Sequence, residues 1–173
     1  ILDNQLKKAG TSIIGLEIHK IIESTRTLIQ ERSETDAGNV GMTGLSWGGF
    51  FTMYTAALAP FVKAAAPSAY FRDSKADLEN MLDIESNSSN YSFKGFGHFQ
   101  VTGMICPRPC LVQLGKNDTL FDLDGAKTEA ERAASFYEKL GISEKFVFHV
   151  HDGGHEFENE RIFDFFDKYL VKK

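Results

Sequence analysis

Three side chains in this sequence, Ser46, Asp118 and His155, are of the types that acyl transfer through a serine requires. A serine hydroxyl is a poor nucleophile at neutral pH. An imidazole must take its proton as attack begins and then hand it to the leaving group. A carboxylate must hold the other imidazole nitrogen and stabilise the imidazolium. Ser46 lies in Gly44-Leu45-Ser46-Trp47-Gly48, a G-x-S-x-G pentapeptide. The short apolar run Val40 to Leu45 reads as a buried strand before it, and Gly49 to Ala59, closed by Pro60, reads as a helix after it. Strand, G-x-S-x-G turn and helix make a nucleophile elbow. The turn is too tight for side chains at its flanks, so Gly44 and Gly48 are expected to have a steric job. The elbow lifts the Ser46 hydroxyl above the strand end and aims the Trp47 N–H at the point where an oxyanion forms.

Positioning three such groups takes a scaffold, and the chain supplies alternating strands and helices. Residues 1 to 10 are a short polar stretch. From Ser12 to about Arg32, Ile14, Ile18, Ile21, Ile22, Leu28 and Ile29 recur mostly at helical spacing, with Ser12 or Thr11 available as a cap. After the elbow, Phe61 to Tyr70 reads as a second buried strand, dominated by small residues as expected where helices pack close on both faces. Phe71 to Asp83 is a loop and short helix. Glu85 to Met104 is the least periodic stretch and reads as an excursion over the sheet edge. Pro109 to Leu114 is a third strand, ending in Gly115-Lys116-Asn117-Asp118. Gly125 to Leu140 is a helix with Asp124 as candidate cap and Gly141 as stop. Lys145 to Val150 is a fourth strand, followed by Asp152-Gly153-Gly154-His155. Glu156 to Leu170 is the last helix, with Phe157, Phe163, Phe166 and Leu170 roughly along one side. Such alternation predicts an α/β fold: a parallel sheet with helices on both faces. In these sheets the active groups sit on loops at the carboxyl ends of strands. Ser46, Asp118 and His155 each follow a predicted strand.

Each of the three has rivals. His149 and His151 alternate along the fourth strand and read as sheet packing or edge residues. His19 lies on the first helix and reads as solvated, while His98 sits in the aromatic excursion. The Gly-Gly-His turn between the last strand and the last helix favours His155. Among the acids, Asp124 is better explained as a cap and Asp152 as a turn residue. Asp122 lies further from the strand end, whereas Asp118 follows it behind a glycine. Tyr70, Phe71, Phe96, His98 and Phe121 lie near strand ends or in the excursion and are candidate walls of a substrate pocket, with Trp47 and Phe99 beside them.

Composition narrows the function classes. At 173 residues and 42% hydrophobic, the chain fits one domain with a real core. A net charge of −5 and a pI of about 5.5 argue against nucleic acid or an anionic membrane as the main partner. No run approaches the apolar length needed to span a bilayer. The chain opens on Ile1 and shows no signal-peptide pattern. Cys106 and Cys110 have a C-x3-C spacing that matches no zinc pattern, and Cys110 reads as buried packing. Asn87, Asn90 and Asn117 begin N-x-[ST] triplets, which arise often by chance, and glycosylation at Asn117 would crowd the proposed acid.

The chain order Ser, Asp, His is that of the α/β-hydrolase triad. GLSWGGFFTMYTAAL, VKAAAPSAYFRD, ICPRPCLVQLGKNDTLFD and GGHEFENERIFDFF resemble α/β-hydrolases of the dienelactone hydrolase and acetyl xylan esterase-like group. The I-x-P-R-P approach to the third strand and the terminal G-G-H-E-F are the most specific parts. The resemblance implies Ser46 as nucleophile, Asp118 as acid, His155 as base and Trp47 as one oxyanion donor. It implies hydrolysis of small carboxyl esters, often acetyl or carbohydrate-linked, with no metal or cofactor.

A full α/β-hydrolase has about eight strands, and this chain offers four, matching the family's last four. The expected organisation is therefore the C-terminal part of one hydrolase domain over residues 1–173. An N-terminal segment or chain would complete the sheet and supply the second oxyanion N–H. Alone, the chain would expose the edge of the nucleophile strand. Two other readings stand beside the esterase. A serine peptidase of the prolyl oligopeptidase type has a nucleophile motif that also resembles GLSWGGFFTM. A non-catalytic binding domain on a hydrolase scaffold is the third, although such proteins commonly lose the serine or histidine.

Overall fold

Alternating strands and helices fold into a four-stranded sheet in the computed structural model, which describes residues 2–73 and 96–171. The chain divides into two compact units, residues 1–38 and 39–173. The short helix expected after Phe71, and most of the stretch read as an excursion, fall on 74–95 and lie outside the described residues.

The first unit holds two helices, α1 (Leu2–Lys8) and α2 (Ile13–Glu31). The opening polar stretch is thus helical. Its leucines, glutamine and lysines are good helix formers, but two turns are too short to show a period. In α2 the Ser12 hydroxyl accepts the Gly15 N–H at 3.0 Å, the expected N-cap. Ile14 and Ile18, one turn apart, are its buried positions.

The second unit runs β1 (Val40–Leu45), α3 (Trp47–Leu58), β2 (Val62–Ser68), α4 (His98–Ile105), β3 (Cys110–Gly115), α5 (Leu123–Lys139), a 3₁₀ turn (Ser143–Lys145), β4 (Phe146–His151) and α6 (Asn159–Leu170). The strands lie in the order β1-β2-β3-β4, all parallel. Side chains alternate across a strand, and β4 shows what covers each face. Phe146 stacks on Tyr137 of α5, whereas Val147 packs with Ile162 and Phe165 of α6 against Ala64, Ala66 and Leu111. Helices therefore flank both faces. The alanines of β2 are at most 1% exposed, as the small-residue pattern anticipates. Cys110 is fully buried, and burial pushes its thiol up to about 12. No helix among the described residues is long and apolar enough to cross a membrane.

Several boundaries differ from the sequence reading. Helix α5 begins at Leu123, and its cap is Asp122, which accepts the Gly125 N–H at 2.6 Å. Asp124 is inside the first turn, paired with Lys127 at 3.2 Å. Two aspartates two residues apart both suit a cap, and only the extended backbone of Asp122 selects it. The end of the expected excursion is the regular helix α4. Its buried positions, His98, Val101, Thr102 and Ile105, do have helical spacing, but histidine and threonine hide the stripe from an apolar count. On α6, Phe163 alone of the expected side is exposed, at 65%, whereas Phe157, Phe166 and Leu170 pack on the core beside the buried Ile162 and Phe165. The FDFF run places aromatics on two sides of the helix.

Arg108 lies in the P-R-P approach to β3. Its guanidinium donates to the carbonyls of Ala59, Val62, Ile105 and Met104 at 2.8–3.3 Å. It thereby closes the end of α3, the start of β2 and the end of α4 together. Hydrogen bonds from a charged donor contribute more than neutral ones. Arg108→Ala is expected to cost about 2–3 kcal/mol of stability, read as a lower urea midpoint at unchanged slope.

Candidate active site

Ser46 has φ 58° and ψ −122°, a backbone conformation that residues with a side chain rarely adopt. Such strain costs on the order of 1–3 kcal/mol and persists only where the surroundings impose it. Here the Ser46 N–H donates to Ser68 O at 2.9 Å, and Ser46 O accepts the Phe50 N–H at 3.0 Å as α3 begins. Two glycines give the turn its clearance. A side chain on Gly44 would collide with the backbone of Gly48, and one on Gly49 with the carbonyl of Ser68. Gly48 faces open space, so the steric job expected of Gly44 and Gly48 belongs to Gly44 and Gly49. Helix α3 starts at Trp47, two residues earlier than the sequence suggests. The Trp47 N–H is therefore in the first turn, where backbone donors have no intrahelical partner. Ala69 also has a positive φ, 50°, so adjacent strands β1 and β2 both leave the sheet in strained turns at the same edge.

Asp118 and His155 meet at that edge. His155 Nδ1 donates to Asp118 Oδ2 at 2.8 Å, and Asp118 Oδ1 accepts the Leu120 N–H at 2.8 Å. The Asp118 side chain is 1% exposed and that of His155 28%. The carboxylate is thus shielded while the imidazole reaches solvent. With Nδ1 donating, His155 Nε2 is left as the acceptor, the tautomer a general base needs.

The loops carrying this pair are stapled to each other. Lys116 N–H donates to His151 O at 2.8 Å and Asn117 N–H to Gly153 O at 3.0 Å. Asn117 Nδ2 donates to Asp152 O at 2.6 Å, so its side chain is already engaged. Gly115 has to be glycine because a Cβ there would run into the carbonyls of Gly153 and Gly154.

The rivals are accounted for elsewhere. Asp152 pairs with Lys116 at 2.5 Å, His149 bonds the Glu158 carboxylate, and His151 accepts the Gly153 N–H at 3.1 Å. His19 is exposed on α2. His98 is 4% exposed and accepts the Arg72 N–H on Nδ1 at 3.1 Å. Burial, helped by the Arg72 charge, lowers its pKa to about 3, so the ring is neutral.

Aromatic rings link the two halves of the edge. Trp47 lies 5.9 Å from Tyr70, Tyr70 5.3 Å from Phe121, and Phe121 stacks on His155 at 6.0 Å. Trp47 is 51% exposed, and Tyr70 and Phe121 are half-buried, so this row faces outward. Of the other candidate walls, Phe96 is exposed, whereas Phe71 is fully buried beneath the row with His98.

The dienelactone hydrolase family model matches residues 4–89, a span that includes Ser46 and stops short of Asp118 and His155. The sheet matches solved esterases. The chain has the α/β-hydrolase fold. The catalytic domain of a glucuronoyl esterase from Hypocrea jecorina superposes with TM-score 0.70 at 14% identity, covering 91% of this chain and 51% of that one. A carbohydrate esterase family 15 glucuronoyl esterase from Caldicellulosiruptor kristjansonii superposes with TM-score 0.64 at 19% identity, covering 80% and 45%. The Pyrococcus furiosus esterase Pf2001 superposes with TM-score 0.65 at 15% identity, covering 90% and 62%. The chain thus spans about half the length of these hydrolases. No curated protein matches it in sequence.

Sequence reasoning missed Gln113 and Glu158. Gln113 is fully buried in β3 and binds the backbone of Glu158, just beyond the His155 loop. The one available signal was a glutamine inside an otherwise apolar buried strand, a placement that demands partners.

Proposed function

We propose that this chain is the catalytic part of a serine hydrolase that cleaves carboxyl esters, with Ser46 as nucleophile, His155 as base and Asp118 as the acid that orients it. The observation that carries this reading is the His155–Asp118 hydrogen bond at the sheet edge where Ser46 is held in its strained turn. Ser46 Oγ attacks the ester carbonyl carbon while its proton passes to His155 Nε2. The oxyanion is met by the Trp47 N–H. Collapse breaks the bond to the alcohol oxygen, which takes the proton from His155 and leaves an acyl-enzyme. Water repeats the sequence and frees the acid.

The substrate class is an acetyl or other carbohydrate-linked ester. The outward row Trp47, Tyr70 and Phe121 beside the elbow offers flat apolar faces to a sugar ring, and solved neighbours of this fold include glucuronoyl esterases. Strand β1 pairs with β2 alone among the described residues, and its burial alternates between half-buried and exposed. The reading therefore includes further strands on the free side of β1, from an N-terminal segment or second chain, that bring the second oxyanion donor. Missing one such donor costs about 10²–10³ in rate.

A fluorophosphonate probe followed by intact-mass and peptide mapping tests the reading. The expected result is one adduct on Ser46, absent in Ser46→Ala, with activated acetyl esters cleaved far faster than peptide amides. No adduct on a sample with its sheet complete would end the serine hydrolase reading, and amide cleavage as fast as ester cleavage would transfer it to a peptidase.

A further inference from the structure

The Gln113 side chain is a fully buried amide bonded through both its oxygen and its nitrogen. Its Oε1 accepts the Glu158 N–H at 2.9 Å and the Ser68 hydroxyl at 3.3 Å, and its Nε2 donates to Glu158 O at 3.0 Å. The amide thus reads the backbone of Glu158 on both its groups, as a neighbouring strand would. Glu158 is the residue before α6, and its own side chain is bonded to His149 on β4. The loop that presents His155 runs from His151 to Glu158. Its near end is stapled to the acid loop by Lys116 and Asn117, and its far end is held by Gln113. Both anchors arise from β3 or the loop it leads into, the same segment that delivers Asp118.

The other end of this network reaches the nucleophile. Ser68, whose hydroxyl meets Gln113, also accepts the Ser46 N–H on its carbonyl. Gln113 O accepts the Ala69 N–H at 2.8 Å, fixing the strained turn after β2. A continuous run of hydrogen bonds therefore links Ser46, Ser68, Gln113 and Glu158 across β1, β2, β3 and the start of α6.

We propose that Gln113 is a positioning residue for catalysis: its amide locks the far end of the His155 loop to the strands that hold Ser46 and Asp118, and so sets the distance between base and nucleophile. This rests on the serine hydrolase reading. A displacement of about 1 Å at such a site costs on the order of 10² in rate. Gln113→Met fills the same space without polar atoms. Gln113→Glu keeps the acceptor for the Glu158 N–H but turns an oxygen toward the Glu158 carbonyl.

The test measures kcat and KM for an activated acetyl ester on both variants, normalised by active-site titration. Alongside these, NMR follows the His155 Nδ1 proton and exchange of the Glu158 amide. The expected result is a kcat about 10²-fold lower with KM within about twofold, faster Glu158 exchange and a broadened His155 proton. A purely structural role would lower melting temperature yet leave kcat per titrated site unchanged, and that result overturns the proposal. If the parent protein hydrolyses nothing, the serine hydrolase reading fails, while the two NMR signals still decide whether Gln113 holds the loop. A variant that does not fold is replaced by Gln113→Asn, which keeps a buried amide but draws it one methylene back from the Glu158 backbone. There, unchanged exchange together with unchanged kcat overturns the proposal.

Discussion

Asp118→Asn is expected to lower kcat for ester hydrolysis by about 10⁴-fold while the fold survives. The aspartate is placed to dictate a tautomer. Its Oδ1 is occupied by the Leu120 N–H and its Oδ2 by His155 Nδ1. An asparagine keeps the first bond with its carbonyl oxygen and so turns its NH₂ toward the imidazole. His155 must then present Nδ1 as acceptor, which puts the remaining proton on Nε2, where it cannot take one from Ser46. The side chain is 1% exposed, so solvent does not rescue the wrong pairing. Steady-state kinetics, with circular dichroism and melting temperature for the fold, check the prediction. A loss smaller than about tenfold would mean that His155 does not depend on Asp118 and that the triad is wrongly assigned.

The site's outline was legible because its ingredients are local. A strand, a glycine-flanked serine and a helix lie within twenty consecutive residues, and β1 has the bounds that its apolar run suggests. The acid and base loops each follow a strand behind a glycine, and topology alone carries them to one edge. What sequence could not give is the polar work done at a distance. Gln113 meets Glu158 forty-five residues away, and Glu129 of α5, buried completely, accepts the Phe99 N–H of α4 thirty residues back. No period or spacing announces such pairs, because burial decides them.

The local errors have physical causes too. Gly48 rather than Gly49 was expected to relieve the elbow, since the motif names only the flanking glycine. Crowding depends on where β2 lies, and its Ser68 carbonyl sits against Gly49. Phe71 and His98 were candidate pocket walls because they follow a strand end and an aromatic run. Burial beneath the aromatic row instead makes them its floor. Tyr70, one residue before Phe71, is in the row itself.

That floor contributes to the response to acid through His98. His98 has its pKa lowered from the ordinary 6.5 to about 3, first by burial and then by the Arg72 charge. Its Nδ1 accepts the Arg72 N–H, and its ring contacts Tyr70 and Phe71 at 5.7 and 5.6 Å. Between pH 6.5 and about 3 the unfolded chain protonates this ring while the folded chain does not. Stability therefore rises with pH across that window. The neutral buried ring carries no penalty above pH 6.5, and the penalty grows as pH falls toward 3. At one pKa unit per 1.36 kcal/mol, its full extent is on the order of 5 kcal/mol. Protonation would also set a donor against the Arg72 N–H, loosening α4 below Tyr70 and Phe121. His98→Asn keeps an acceptor near the Nδ1 position and removes the titration. The variant is expected to be less stable than the parent at pH 7, through lost packing, but to lose less stability between pH 6.5 and 4. Urea unfolding of both proteins at several pH values reads the difference. Parallel acid profiles would show that His98 is not the group that protonates on unfolding, and would remove the link between acid sensitivity and the aromatic row beside Ser46.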